Sequence, residues 1–227
     1  MQELALVAPG GGRLTVRLPA GPAVASVAAG IRFAGGSYGT GFQIGPRGYH
    51  DFAGTVVAPA QTVARMLVHG REVVLAEARD GQSSMATLIG THHELMTVYA
   101  GPAPRRERVY ALFDSLRIED HAAGMVVRPA AATLLEVLSE QVIVVVPDRG
   151  AICVPGPRQA AAIVPRHAGA PTRHGEVWRS RYPGGGYAFL LGCPAGLAEV
   201  HLTTAGPSTV DTRLTWLDGI DIAWHAG

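Results

Sequence analysis

At 227 residues, 48% of them hydrophobic and 16% charged, the chain has the length for one large domain or two of about 100 residues each, and its composition excludes intrinsic disorder. Nineteen Arg and no Lys against eighteen acidic residues leave a net charge of +1, which excludes the basic footprint of a nucleic-acid binder. The missing Lys excludes a Schiff-base or P-loop lysine, and the missing Asn excludes N-glycosylation.

The consistent use of Arg for Lys is that of a GC-rich bacterial genome. Residues 1–12 lack a basic stretch followed by a long apolar run, and no segment reaches the ~18 apolar residues of a membrane span, so a cytoplasmic location is expected. Cys153 and Cys193 stand forty positions apart with no CxxC, among strand-like apolar residues, and are expected to be buried free thiols.

In chain order, residues 7–16 read as a hairpin turning on Pro9 and Gly12, followed by a Gly-rich insertion at about 20–50. Residues 59–69 carry Val63, Met66 and Leu67 at helical spacing and stop at Gly70, which predicts a helix. Residues 73–78, 85–90 and 92–99 read as strands. Pro104 opens a helix in which Val109, Leu112, Phe113 and Leu116 recur at i, i+3, i+4 and i+7. Leu134, Leu135 and Leu138 mark a helix over 130–140. Strands follow at 142–146, 177–182, 187–192 and 197–203. A last helix carries Val210, Leu214 and Leu217 on one face, with Ser208 and Asp211 at the spacing of a capping box.

Several of these segments recur in the same order. Val7, Pro9, Gly12 and Val16 match Val145, Pro147, Gly150 and Val154. His69-Gly70 matches His174-Gly175, and residues 85–90 match residues 187–192. The run 100–102 (Ala-Gly-Pro) matches 205–207, and beyond it Arg108, Leu112, Asp114 and His121 match Arg213, Leu217, Asp218 and His225, with Glu94 and Glu199 coinciding upstream. Collinear matches predict two diverged copies of one αβ motif in a pseudo-twofold arrangement: a module over 1–129, a joining helix over 130–140 and a smaller module over 141–227. The fold class expected is α+β, mainly antiparallel sheet with a few short helices.

The order of a strand meander, a late helix containing Phe113-Asp114-Ser115-Leu116 and a final strand, over residues 70–128, resembles the Mog1/PsbP-like αβα sandwich family. The resemblance implies binding or assembly roles and brings no shared catalytic residues with it.

Each catalytic pattern in the sequence requires a particular structural context. Ser37 lies in Gly35-Gly36-Ser37-Tyr38-Gly39, a GxSxG match, yet the residues that follow cannot start the helix a nucleophile elbow requires. His92-His93-Glu94 puts His92 and Glu94 on one strand face, and zinc would need a third ligand such as His50, Asp51 or His121. No cofactor or metal is therefore expected. Arg105, Arg106 and Arg108 form a local basic cluster, read as a solvated helical turn or as a contact for an anion or partner. The residues kept in both halves are read as fold-holding pairs, with an Arg partner expected for Asp114 at its helix C-terminus.

The function these readings favour is a non-catalytic binding or assembly protein that works through protein–protein contacts or self-association. The alternatives are a hydrolase or metal-dependent enzyme using His92, Glu94 and His50, and a module for a peptide or small ligand at an open sheet edge.

Overall fold

In the computed structural model, residues 1–35, 40–130, 135–181, 187–203 and 209–225 are described. Among them the chain is mostly antiparallel strand with four short α-helices, the α+β class expected. It divides into two compact units. The central unit comprises residues 9–11 and 28–140, and the terminal unit comprises 1–8, 12–27 and 141–227. The first 27 residues thus group mainly with the last 87, rather than with the module expected over 1–129.

The central unit is built on strands β3 (Ser26–Ala34), β4 (Thr40–Pro46), β5 (Ala60–Val68), β6 (Arg71–Ala78), β7 (Ser83–Ile89) and β8 (His93–Ala100), in the sheet order β3-β4-β8-β7-β6-β5. One face carries helix α2 (Arg106–Asp114) and the hairpin β9 (Leu116–His121) with β10 (Gly124–Pro129). Phe33, Phe42, Leu88, Leu95, Phe113 and Met125 form the core there, and Phe42 meets both Phe33 and Phe113 edge to face. The other face carries helix α1 (Tyr49–Phe52), which runs into a π-helical turn (Ala53–Val57); Ala53 packs against Ala76, Met85 and Met96. Val73, Val74, Leu75 and Ala76 are accordingly all buried, an apolar run without alternation because both faces are covered.

The terminal unit holds β11 (Glu136–Val146, whose first residues lie in the central unit), β12 (Gly150–Pro155), β13 (Ala170–Thr172), β14 (Gly175–Arg181), β15 (Tyr187–Cys193) and β16 (Gly196–Leu202). Their sheet order is β13-β14-β15-β16-β12-β11. Helix α3 (Pro157–Ile163) follows β12, and helix α4 (Val210–Asp218) and β17 (Asp221–His225) close the chain. β17 pairs with β2 (Arg13–Leu18), which pairs with β1 (Gln2–Val7). The buried side chains of this unit include Leu14, Val16, Ile152, Val154, Leu191, Val200, Trp216 and Ile222.

Adding eight to each strand number of the central sheet gives the strand order of the terminal sheet. In both, a short helix follows the second strand, and a nine-residue helix and another strand follow the sixth. Leu112 and Leu217 fall in corresponding nine-residue helices. The matched hairpins 7–16 and 145–154 share a register, Leu4 opposite Val16 and Val142 opposite Val154. In strand order, however, β3–β4 rather than β1–β2 holds the place of β11–β12.

Three expectations are corrected. Residues 59–69 are not a helix but strand β5, paired with β6 along its length; Ala64 and Val68 turn inward while Val63 and Leu67 are exposed. Four-residue apolar spacing suits a strand as well as a helix, and a bulge between Thr62 and Ala64 sets this one. The joining helix expected over 130–140 is, from Glu136 onward, the start of β11; Leu134 lies outside the described residues. The Gly-rich insertion at about 20–50 is in large part β3 and β4, integral strands of the central sheet. Its glycines hid the pattern. At Gly45 the ring of Tyr49 occupies the space a Cβ would need, so only glycine lets α1 fold back over the strand.

Candidate functional site

The polar cluster singled out in the sequence proves to be a clasp. Glu94 on β8 is 4% exposed; its Oε1 accepts from the Gly48 amide at 2.9 Å and its Oε2 from the His50 amide at 2.7 Å, with Arg47 Nη1 3.7 Å away. Both carboxylate oxygens therefore hold the chain entering α1, whose first amides have no partner within the helix. His50 Nδ1 shares a 2.9 Å hydrogen bond with the buried Thr87 hydroxyl, which fixes the same segment to β7.

His92 precedes β8, and its side chain is exposed. Its amide and that of His93 donate to Asp120 Oδ2 at 2.8 and 3.4 Å, and His93 Nδ1 lies 2.9 Å from Asp120 Oδ1. Burial alone would raise the Asp120 pKa, but these donors outweigh it and hold the carboxyl below its ordinary 3.8. His92 and Glu94 thus serve separate loops. Asp51 and His121 are exposed, His121 lying 3.7 Å from Glu119, and among the described residues no three His, Cys, Asp or Glu side chains are grouped to hold a metal. Ser37 lies outside the described residues.

Arg105 is the N-cap of α2, and Arg105, Arg106 and Arg108 are exposed along its first turn. Asp114 and Asp218 are the last residues of α2 and α4, and each pairs with the turn of an edge hairpin. Asp114 Oδ1 lies 3.2 Å from His69 Nε2, in the β5–β6 turn, so its partner is His rather than Arg. Asp218 accepts from the Arg173 amide at 3.0 Å and lies 3.6 Å from its guanidinium, in the β13–β14 turn. His225 shares a 2.7 Å hydrogen bond with Thr15.

The site best shaped for a ligand lies elsewhere, among residues that carry no catalytic motif. Within the terminal unit, an apolar cleft of about 480 Å³ runs between α3 and the strands β14 to β17. Pro157, Ala160 and Ala161, at the i, i+3 and i+4 positions of one face of α3, form its helical wall, with Val164 just past the helix end. Trp178, Leu197 and Trp224 form the strand side, and Cys193 lies at the strand end. Only Ala160 of α3 is buried, and the neighbouring Pro157 and Ala161 on the same face have side chains too small to fill the space above the sheet. Gly192 stands opposite, and a Cβ there would meet the Trp178 ring at 3.0 Å. Burial raises the Cys193 pKa to about 11, so its thiol is neutral at physiological pH. The signals were present in the sequence as Gly156-Pro157 opening an alanine run and two Trp in strand segments.

Compared with protein-family models, curated proteins and solved structures, the chain matches none. Among the described residues, no helix is long and apolar enough to cross a membrane.

Proposed function

We propose that this chain is a non-catalytic binding or assembly protein that acts through protein–protein contacts, with the cleft under α3 as the surface that receives an apolar segment of its partner. One observation carries the reading: the large ligand-sized opening is lined mainly by indole, aliphatic and small side chains, with Glu176 and Cys193 among them, whereas the polar cluster that would serve chemistry has both Glu94 oxygens engaged by backbone amides. A cleft of this kind supplies burial for a guest; its one carboxylate, Glu176, and the thiol of Cys193, whose pKa burial raises to about 11, stand in it without a basic or second acidic partner among the described residues of the lining.

The same proposal takes the two units as diverged copies of one Mog1/PsbP-like αβα motif. Its support is the common strand order, the two nine-residue helices at equivalent places, and the aspartate that ends each helix and pairs with the first turn of the neighbouring meander. An experimental structure in which the two sheets fail to superpose strand for strand would remove this part.

The binding reading is tested by affinity retention from the native lysate and light scattering, comparing the wild-type chain with Ala161→Trp, which fills the cleft from an exposed helical position. The expected result is a stoichiometric protein partner or a defined oligomer for the wild type, lost in the variant. A monodisperse monomer that retains nothing overturns it. Stoichiometric metal in protein purified without chelator, lost in the His92→Ala, Glu94→Ala double variant, would replace it with the metal-dependent alternative.

A further inference from the structure

Charge and geometry together narrow what the cleft can receive. Among the described residues, Glu176 is the one with a carboxylate or cationic side chain in its lining, where Cys193 is held neutral. Glu176 and Trp178 are two apart on β14 and so project from the same face. One loop holds both: the Trp178 indole N–H donates to the His167 carbonyl at 2.8 Å, and Glu176 Oε2 accepts from the Gly169 amide at 3.3 Å. Across the ladder Glu176 faces Gly192, which has no side chain to cover it.

The arginines of this region are committed elsewhere or stand outside the lining. Arg173 pairs with Asp218, Arg179 lies 4.7 Å over the Tyr187 ring on the opposite face of β14 from Trp178, and Arg181 shares that face. Arg158 and Arg166 are exposed and do not line the cleft.

We infer that the cleft selects an apolar peptide segment of a partner protein that carries a basic side chain, with Glu176 as the pairing charge and the indole faces of Trp178 and Trp224 receiving the cation. This rests on the binding reading of the same cleft. An ammonium or guanidinium is drawn to an indole face, and more strongly where water is excluded; an acidic residue meets Glu176 with no cation in the lining to offset it. The aliphatic neighbours of the basic residue enter beside Val164 and Leu197, both of which line the cleft.

The test titrates the full chain with three acetylated, amidated pentapeptides, Ala-Leu-Arg-Leu-Ala and its Gln and Glu counterparts at the centre, following tryptophan emission. In a Cys153→Ser background, protection of Cys193 from alkylation reports the same occupancy. The Arg peptide is expected to bind about tenfold more tightly than the Glu peptide, with Gln between, on the scale of one cation–π contact plus one exposed ion pair. Glu176→Arg, at an exposed position, is expected to reverse the order, and Glu176→Gln to narrow it to what the indole contact alone contributes. Equal binding of all three peptides, or an order unchanged in Glu176→Arg, overturns the charge selection and leaves the cleft as a binding surface. Failure of every peptide to change emission or protect Cys193 overturns the binding reading and this inference together.

Discussion

The two units place a short helical segment over the same side of sheets with the same strand order, and only one of these segments closes down. In the central unit α1 is drawn in at three points: Glu94 takes two of its amides, Tyr49 lies over Gly45, and Ala53 sits among Ala76, Met85 and Met96. In the terminal unit α3 offers only Ala160 to the sheet, and Glu199, which the sequence aligns with Glu94, lies half-buried 3.3 Å from His201 Nε2. One buried carboxylate and the size of a few side chains therefore decide whether the second face of a sheet becomes core or cleft. Topology does not decide it.

The largest effect that would break this contrast is at the clasp. Glu94→Ala leaves the part-buried Gly48 and His50 amides without their acceptor and is expected to cost about 2–3 kcal/mol in urea-induced unfolding, with Glu94→Gln roughly half as severe because one acceptor remains. Faster hydrogen exchange at Gly48 and His50 should accompany it, and unchanged exchange would show that the clasp does not hold α1.

Asp120→Asn follows at about 2 kcal/mol near neutral pH, since the side chain is 3% exposed and accepts from two amides and an imidazole. Its folded pKa lies below the ordinary 3.8, so the stability it adds is present above that value and is lost as pH falls through the folded pKa. Wild type and variant should therefore converge in acid, and a difference that persists there would assign the effect to packing.

Volume sharpens the comparison next. Ala53→Leu overfills the closed side and should destabilise by about 1–3 kcal/mol, whereas Ala161→Leu has a cleft to enter and should change stability by less than about 1 kcal/mol. Equal costs in thermal unfolding would mean the cleft is not open in solution. The smallest effect is at Cys193. Its raised pKa means that whatever stability the neutral thiol adds is complete below about pH 9 and is lost as pH rises through about 11, a loss that Cys193→Ala should remove. At pH 8 its thiolate population should be about a hundredfold below that of an unperturbed thiol, read as slow alkylation.

Local chemistry made much of the fold legible in the residues alone. Pro9 and Gly12, and Pro147 and Gly150, mark two hairpins of equal register, and the strands around Val73, Met85, Trp178 and Leu197 stand close to where their apolar and β-branched residues place them. Val109, Leu112 and Phe113 specify α2, although Leu116, read as the next turn of its stripe, already belongs to β9. For α4 the cap is Thr209, whose side chain accepts from the Thr212 amide, while Ser208 lies outside the described residues.

Long-range pairing decided the rest. Val63, Met66 and Leu67 fit a helix until β6 supplies a ladder for them, and residues 26–34 and 40–46 look like a glycine loop until β8 pairs along β4. The histidines and Glu94 read as one strand face because the sequence cannot show that Gly48 and His50 return to consume the carboxylate. The cleft was hidden for the same reason. Its walls come from α3, β14, β16 and β17, far apart in the chain, and an unfilled volume is a property of what fails to meet across space, which no run of residues records.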